Sequence, residues 1–330
     1  MGCKEIQMRA LVTGGGGFIG SALVHELVKT GFNITSFSRG DYPELRKNGV
    51  VVKMGDISDR EAVLNACDDI DIVFHVAAKA GIWGSYRDYY MTNVRGTENI
   101  VYACKEKKIK WLIYTSSASV VFDGIDINGS NESLPYPSQP LSNYTATKAL
   151  AEQCVMKANS NSLKTLALRP HIVLGPGDNH LIPRLIAQAR AGKLRQIGSG
   201  RNLTDISYID NVVAAHICAV KAIMKNPDVS GKAYFISNGE PVLLWDFINE
   251  VLKNAGLEPI NKSVPVKAAL IYSAVTEMFH KIFRIKQEPR LTRFLVYELA
   301  KSHWFDIDAS RKLLNYNPEI SNLAGLKKLT

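Results

Sequence analysis

A strand, a glycine turn and a helix follow one another near the start of this chain, and that succession limits the fold more than any other feature. Residues 8–13 (Met-Arg-Ala-Leu-Val-Thr) read as a buried parallel strand, and Phe18 to Thr30 as a helix stopped at Gly31, a C-cap position. Between them stand Gly14, Gly17 and Gly20. Such a turn lets the backbone come close to a pyrophosphate, while the unpaired N–H groups of the helix start, at Phe18 and Ile19, offer it positive potential. In this setting the glycines read as a dinucleotide fingerprint and not as a flexible loop.

The next strand, Asn33 to Ser38, should end beside an adenosine ribose. An acid there would accept from a free 2′-hydroxyl, whereas Ser38 followed by Arg39 suits a 2′-phosphate. NADP(H) is therefore the expected cofactor, with NAD(H) the alternative. Further strands are read at Val50–Lys53, Asp71–Val76, Trp111–Thr115 and Lys164–Arg169, with helices near Asp59–Ala66, Asp88–Lys105 and Asn143–Ala158. Alternation of this kind builds an α/β, doubly wound parallel sheet, the Rossmann arrangement. Beyond Arg169 the pattern loosens: Gly175-Pro176-Gly177 marks a turn, Leu181–Ala191 a helix, Ala233–Ile236 a short strand, and helices dominate from Leu244. The expected division is a dinucleotide-binding unit over residues 1–170 and a smaller, mainly helical substrate lobe over 171–330, from which some elements return to the core.

Ligands of such sheets bind outside the carboxyl ends of the strands, so the residues after each strand form one set. Asp56, followed by Ile57, offers an acid to an adenine amino group, and Ala77 and Ala78 allow close approach of a cofactor. Thr115, Ser116 and Ser117 carry hydroxyls for a reacting oxygen, while Pro170, Ile172 and Val173 present backbone to a carboxamide. Lys79 has two readings, attraction of cofactor phosphates or a substrate carboxylate, and plain solvation.

Tyr144 and Lys148 supply the chemistry. On a helix, residues four apart share a face at about 5–6 Å, so an ammonium can sit beside the phenol. A neighbouring cation favours the charged phenolate and is expected to bring Tyr144 toward a useful acid–base range. The spacing alone is common on amphipathic helices; behind a dinucleotide fingerprint it points to hydride transfer.

With 330 residues, 46% hydrophobic and 22% charged, the chain can bury a large core. Its net charge of +9 fits an anionic cofactor and an acidic substrate; no basic cluster interleaved with stacking aromatics points to nucleic acid. Five cysteines (Cys3, Cys67, Cys104, Cys154, Cys218) lack metal-ligand spacing, so neither a metal nor a disulfide is expected. Met1 to Gln7 is short and polar, unlike a secretion signal, and a cytoplasmic enzyme is expected. Residues 267–286 carry Leu270, Ile271, Val275, Met278, Phe279, Ile282 and Phe283 at helical spacing beside Lys281, Arg284 and Lys286. They read as a lid or core-facing helix, or as an interfacial helix making at most peripheral membrane contact.

Thr13 to Gly20, Gly55-Asp56-Ile57, Asn93 within Thr92 to Thr97, Tyr114 to Ser117 and Tyr144/Lys148 together resemble the extended short-chain dehydrogenase/reductase superfamily over almost the whole chain. Arg169-Pro170-His171, Thr204 to Val212 and Gly231 to Asn238 resemble its 3β-hydroxysteroid dehydrogenase and sterol-4-carboxylate 3-dehydrogenase branch. His75 to Tyr86, Gly175 to Asp178 and Thr292 to Leu295 are similar to the bacterial 2-alkyl-3-oxoalkanoate reductases of long-chain olefin formation.

The resemblance implies that Tyr144 is the general acid at a 3-oxo oxygen, that Lys148 lowers its pKa and holds cofactor ribose hydroxyls, and that Ser117 hydrogen-bonds the same oxygen. It implies Asn93 as a supporting group of the cofactor site. His171 has two readings, a proton relay, or a backbone contact to the nicotinamide amide with its imidazole packing or walling substrate, of which the second is expected. Trp83 and Tyr86 either wall an acyl chain or pack on a neighbouring helix, and Tyr208 and Asp210 read as structural. A homodimer through Asp88–Lys105 and Asn143–Ala158 is implied, as is contact with other enzymes of the same pathway. The expected substrate is a hydrophobic small-molecule acid, a 2-alkyl-3-oxoalkanoate. A 3-ketosteroid, a nucleotide sugar handled by an epimerase or dehydratase, and a dinucleotide sensor without turnover are the alternatives.

Overall fold

The computed structural model describes residues 8–179 and 181–329. The readings of Met1 to Gln7 and of Cys3 lie outside them. In chain order the first half runs β1 (Arg9–Thr13), α1 (Phe18–Lys29), β2 (Asn33–Ser38), α2 (Pro43–Lys47), β3 (Val51–Met54), α3 (Arg60–Ala66), β4 (Ile72–His75) and α4 (Tyr86–Tyr89). A π-turn at Tyr90–Arg95 leads into α5 (Gly96–Glu106), then β5 (Trp111–Thr115), β6 (Ile127–Ser130), α6 (Asn143–Lys157) and β7 (Lys164–Pro170). The second half holds β8 (Val173–Leu174), α7 (Leu181–Arg190), β9 (Gln196–Ile197), β10 (Leu203–Thr204), β11 (Ser207–Tyr208) and α8 (Ile209–Lys225). After these come β12 (Lys232–Ile236), β13 (Val242–Leu243), α9 (Leu244–Asn254), β14 (Ser263–Val264), α10 (Val266–Ile282), α11 (Arg293–Ala300), β15 (His303–Phe305), α12 (Asp308–Leu314) and α13 (Asn322–Lys327).

Seven parallel strands form the central sheet in the order β12-β7-β5-β4-β1-β2-β3. Strand order reverses between β1 and β4, and the crevice at that switch point is where such sheets bind ligands. Alternation along the strands builds a core on each face: Ala10 and Val12 pack with Leu23 and Val24 of α1 and Val212 of α8. Leu11 between them faces Val63 of α3, Ile100 of α5 and Val155 of α6.

The sequence reading assigns no element to Ile209–Lys225, yet α8 packs beside α1 and covers β5 and β7. With β12 it brings residues from beyond 170 into the dinucleotide-binding layers. The expected continuous helix over 88–105 is broken by the π-turn, whose wide backbone turn carries the buried side chain of Asn93. The C-terminal portion is mainly helical, but it also contributes three strands to a four-stranded sheet, β13-β10-β15-β6, completed by β6 of the first half, and forms the pairs β8/β11 and β9/β14. These strands are mostly of two or three residues, too short to show a period. Their own core gathers Leu244, Trp245, Ile248, Leu252, Ala269 and Val296.

α6 is fixed to β7 by a buried ion pair. Arg169 donates to Glu152 through Nη2 at 2.6 Å and Nε at 3.1 Å, and the Tyr136 hydroxyl donates to the same carboxylate at 2.7 Å. Removing one member leaves a buried charge without its partner, a loss of about 3–5 kcal/mol. Glu152→Ala should therefore shift chemical denaturation by that amount, and a change below about 1 kcal/mol would show that the pair does not tie helix to sheet.

Candidate active site

The cleft opens at the carboxyl ends of β1, β2, β4 and β5 as a cavity of about 700 Å³. At one end Gly14 adopts φ 71°, and a Cβ there would come within 2.9 Å of the Ala77 backbone, so only glycine fits between β1 and the loop after β4. A Cβ on Gly20 would collide with the Gly14 carbonyl. Gly17, at the N-cap of α1, offers no side-chain cap, which leaves the first N–H groups of the helix to whatever enters the cleft. Gly14, Gly17, Phe18, Ile19, Ala77 and Ala78 all line it.

At the adenosine end stand Arg39, Gly40, Tyr42, Asp56 and Ile57. Asp56 accepts from the Ser58 hydroxyl at 2.7 Å and the Ser58 N–H at 2.8 Å. These bonds, with a smaller contribution from Arg39, hold its carboxyl below the ordinary carboxylate range, so it stays ionised. Arg39 is exposed at the rim, makes no ion pair within 4.0 Å among the described residues, and carries a guanidinium of the kind that suits a phosphate.

At the other end α6 delivers Tyr144 and Lys148 to the cleft, opposite Thr115 and Ser116. A capping box formed by Ser142 and Thr145 fixes the start of this helix. Lys148 is buried: its ammonium donates to the Thr115 carbonyl at 2.6 Å and lies 4.2 Å from the centre of the Tyr114 ring. Burial brings Lys148 down to about 7, against the opposing pull of Glu152 one turn along. Tyr144 departs from expectation. Its phenol is raised, chiefly by removal from water, with Ser117 acting in the lowering direction and Glu298 in the raising one. Removal from water thus keeps the phenol protonated, the state a proton donor needs. Ser116 and Ser117 point apart: Ser116 lines the cofactor cleft with a buried, unpartnered hydroxyl, while Ser117 serves the Tyr144 side and bonds Ser119 at 2.8 Å.

Several expected cofactor contacts are placed elsewhere. Asn93 spends its amide on the protein, accepting from the Lys79 N–H at 2.7 Å and donating to the Lys79 carbonyl and Thr147, both at 3.1 Å. It ties the loop after β4 to α6 and does not line the cleft. Lys79 lies 5.4 Å from the Tyr89 ring centre, also outside the lining. Pro170, Ile172 and Val173 lie beyond the cleft's lining residues; Ile172 has φ 35°, unusual for a β-branched residue, and its carbonyl accepts from Ser207. The His171 N–H already serves Ser207 and the Ile236 carbonyl, so it has no donor left for a carboxamide. Trp83 packs on α10 through His280 and donates to the Ile285 carbonyl, and Tyr86 is exposed beside Tyr90. Tyr208 is buried under α13, as a structural residue should be.

Other groups are legible only in three dimensions. His75 bridges Thr13 and Thr97, both at 2.9 Å, and Thr13 accepts from the Ala77 N–H, so the glycine strand and the π-turn share one network. Thr115 bonds His216 of α8 at 2.7 Å, and His216 Nδ1 must donate to the Val212 carbonyl, leaving Nε2 to accept. His303 Nε2 donates to the Glu298 carbonyl at 2.7 Å, so its Nδ1 accepts from Thr204 and from His171 Nε2. Possible ligand atoms of His171, Glu298 and His303 lie within 4.8 Å of one another, but both His303 nitrogens are engaged, and the cluster is a hydrogen-bonded chain. It brings Glu298, with its carboxyl raised by burial, to the side of Tyr144. No local sequence pattern joins these positions.

The family model for the 3-beta hydroxysteroid dehydrogenase/isomerase family matches residues 11–266. The chain belongs to this family. It is 43% identical over 325 residues to the 2-alkyl-3-oxoalkanoate reductase of Stenotrophomonas maltophilia, covering 98% of each chain. The enzyme of the same name from Shewanella oneidensis is 43% identical over 97% of this chain and 85% of its own. The human sterol-4-alpha-carboxylate 3-dehydrogenase, decarboxylating, is 33% identical over 95% and 85%. Among solved structures, UDP-glucuronic acid 4-epimerase from Bacillus cereus, in complex with NAD, superposes with a TM-score of 0.73 at 25% identity over 97% of both chains. The protein is accordingly an oxidoreductase of the extended short-chain dehydrogenase/reductase type, acting on hydroxyl and keto groups.

The depressed Lys148 has a consequence for stability. Between about 7 and its unfolded value the unfolded chain binds a proton that the folded protein does not, so stability rises with pH through this window. Relative to Lys148→Met, the wild type should gain about 2 kcal/mol between pH 7 and 9 in urea denaturation. Parallel curves for the two proteins would refute the buried, near-neutral lysine.

Proposed function

We propose that the protein reduces the 3-oxo group of a long-chain 2-alkyl-3-oxoalkanoate to the 3-hydroxy acid, using NADPH. The observation that carries this reading is that Tyr144 and Lys148 line the end of a dinucleotide cleft, with Ser117 beside the Tyr144 phenol, in a chain 43% identical over nearly its whole length to enzymes named for that reaction. The cleft fits a nicotinamide dinucleotide: glycine backbone and an uncapped helix start at the diphosphate position, Asp56 and Arg39 at the adenosine end, Lys148 at the nicotinamide end.

The bound cofactor supplies a hydride to the carbonyl carbon. Tyr144, kept protonated by its surroundings, donates its phenolic proton to the carbonyl oxygen as negative charge develops there. Ser117 donates a second hydrogen bond to the same oxygen. Lys148, one turn from Tyr144, lies where an ammonium stabilises the phenolate left behind and grips ribose hydroxyls. Asn93 positions this set by pinning α6 to the loop after β4.

Arg39 supports a preference for NADPH, since β2 ends in Ser38 without an acid to receive a 2′-hydroxyl. The faces of α5 and α6, which carry the half-exposed Tyr102 and Leu150, support pairing of two copies into a homodimer. A β-keto acid decarboxylates readily, which favours transfer to and from other enzymes of the same pathway.

Two measurements test the reading. Tyr144→Phe should lower kcat for NADPH-dependent reduction of a 2-alkyl-3-oxoalkanoate by about a hundredfold to ten-thousandfold, with cofactor affinity little changed. Unchanged turnover refutes the role, and activity only with a 3-ketosteroid or a nucleotide sugar refutes the substrate. Arg39→Asp should lower kcat/KM with NADPH by about tenfold to a hundredfold and spare NADH, because a charge-assisted phosphate contact is lost. A wild-type enzyme that already favours NADH contradicts the assignment of Arg39.

A further inference from the structure

α10 is built inside out. A helix on a water-soluble surface turns its apolar stripe inward. Here Ala269, Ser273 and Glu277 face the protein, while Ile271, Tyr272, Val275, Met278, Phe279 and Ile282 face outward, each 49–67% exposed. The outward residues recur at the i, i+4, i+7, i+8, i+11 spacing of one helical face, and Phe283 extends it past the C-terminus at 63% exposure. The face is about 18 Å long, far larger than a scatter of single exposed side chains.

The charges around it have one sign. Lys267, Lys281, Arg284, Lys286 and Arg290 are exposed and have no acidic partner within 4.0 Å among the described residues. The two acids of the region are already neutralised, Glu277 by Arg293 and Glu288 by Arg184. No helix among the described residues is long and apolar enough to cross a membrane, so membrane contact by this one would be in the plane of the surface. Its position is functional: the turn after it accepts the Trp83 indole N–H at Ile285, and Gly84 in the Trp83 loop accepts from Asn143, next to Tyr144.

We propose that α10 seats the protein on an anionic lipid surface, with the apolar face among the acyl chains and the lysines and arginines at the headgroups. Uniformly positive borders select against a second copy, whose own α10 would bring the same charges opposite them, and they match anionic lipid. Seated in this way the Trp83 loop lies toward the bilayer, so an apolar substrate reaches the site without crossing water. The proposal is independent of which 3-oxo compound is reduced.

The test is cosedimentation of the full-length protein with vesicles of phosphatidylcholine containing phosphatidylglycerol, against vesicles of phosphatidylcholine alone. Wild type should bind the anionic vesicles, more weakly as salt is raised. The double variant Phe279→Glu/Ile282→Glu should lose binding, and Lys281→Glu should weaken it about fivefold or more. Both should keep wild-type melting curves and turnover of a short, water-soluble 3-oxo substrate, which separates a failure of this proposal from a failure of the assigned reaction. No binding of wild type at low salt, or equal binding of wild type and double variant, overturns it. So does a dimer in light scattering that the double variant abolishes, which would give the face to a second copy, or retention by an acidic protein partner without affinity for vesicles.

Discussion

The placement of one ammonium inside the protein organises the rest. A buried lysine loses its hydration, and Lys148 recovers only part of it through the Thr115 carbonyl and the Tyr114 ring. That compensation requires Thr115 to be held still. Its hydroxyl is bonded to His216, which α8 presents from the opposite face of the sheet. α6 in turn is held by Arg169 and Glu152 at its next turn, so a helix on each face and two adjacent strands, β5 and β7, must all be in place for one amine to be stable. A depressed lysine at the end of a cleft is also what acid–base chemistry near neutrality calls for, and fold and reactivity draw on the same contacts.

What was legible in the sequence was what is local. The strand β1, the glycine turn and α1 are contiguous and strongly patterned, and Tyr144 and Lys148 are one helical turn apart, so reading along the chain finds them. β2 and β5 fall within their read bounds because their ends coincide with changes in residue type. α8 escapes because its apolar residues follow the two-residue strand β11 without a capping signal, and the structure gives it no side-chain cap either. The small strands of the lobe pair over long separations and have no period to detect. Asn93 was legible as a conspicuous residue but not as a bridge, since its partners lie on another loop and another helix.

The direction of the Tyr144 shift shows the same limit in energetic form. Spacing on a helix says that a cation is near; it says nothing about how much water remains, or about Glu298, which approaches from α11 in the other lobe. Burial outweighs the neighbour. The outcome suits a reductase, because the proton to be donated is retained until charge on a carbonyl oxygen makes its loss favourable.

Side-chain bridges hold the loops around Tyr144: Trp83 donates to the Ile285 carbonyl and Lys301 to Asp126 between the two halves of the chain, while Asn143 reaches Gly84 within the first half and Arg184–Glu288 and His171–His303 join within the second. The dinucleotide side is packed backbone against backbone, where a single Cβ at Gly14 or Gly20 would collide. The lobe side is made of short strands, exposed helices and side-chain bridges that tolerate exchange. Selection on substrate can therefore alter α10, α11 and the small strands with little effect on hydride handling, whereas α8 and β12, which complete the dinucleotide-binding layers, are tied to it. Its relatives follow this division: the architecture superposes on a UDP-glucuronic acid 4-epimerase at 25% identity, while proteins sharing more of the sequence are 2-alkyl-3-oxoalkanoate reductases and sterol-4-alpha-carboxylate 3-dehydrogenases. Residues that distinguish such enzymes should accordingly be sought around Glu298, His303 and α10, and not around the glycines.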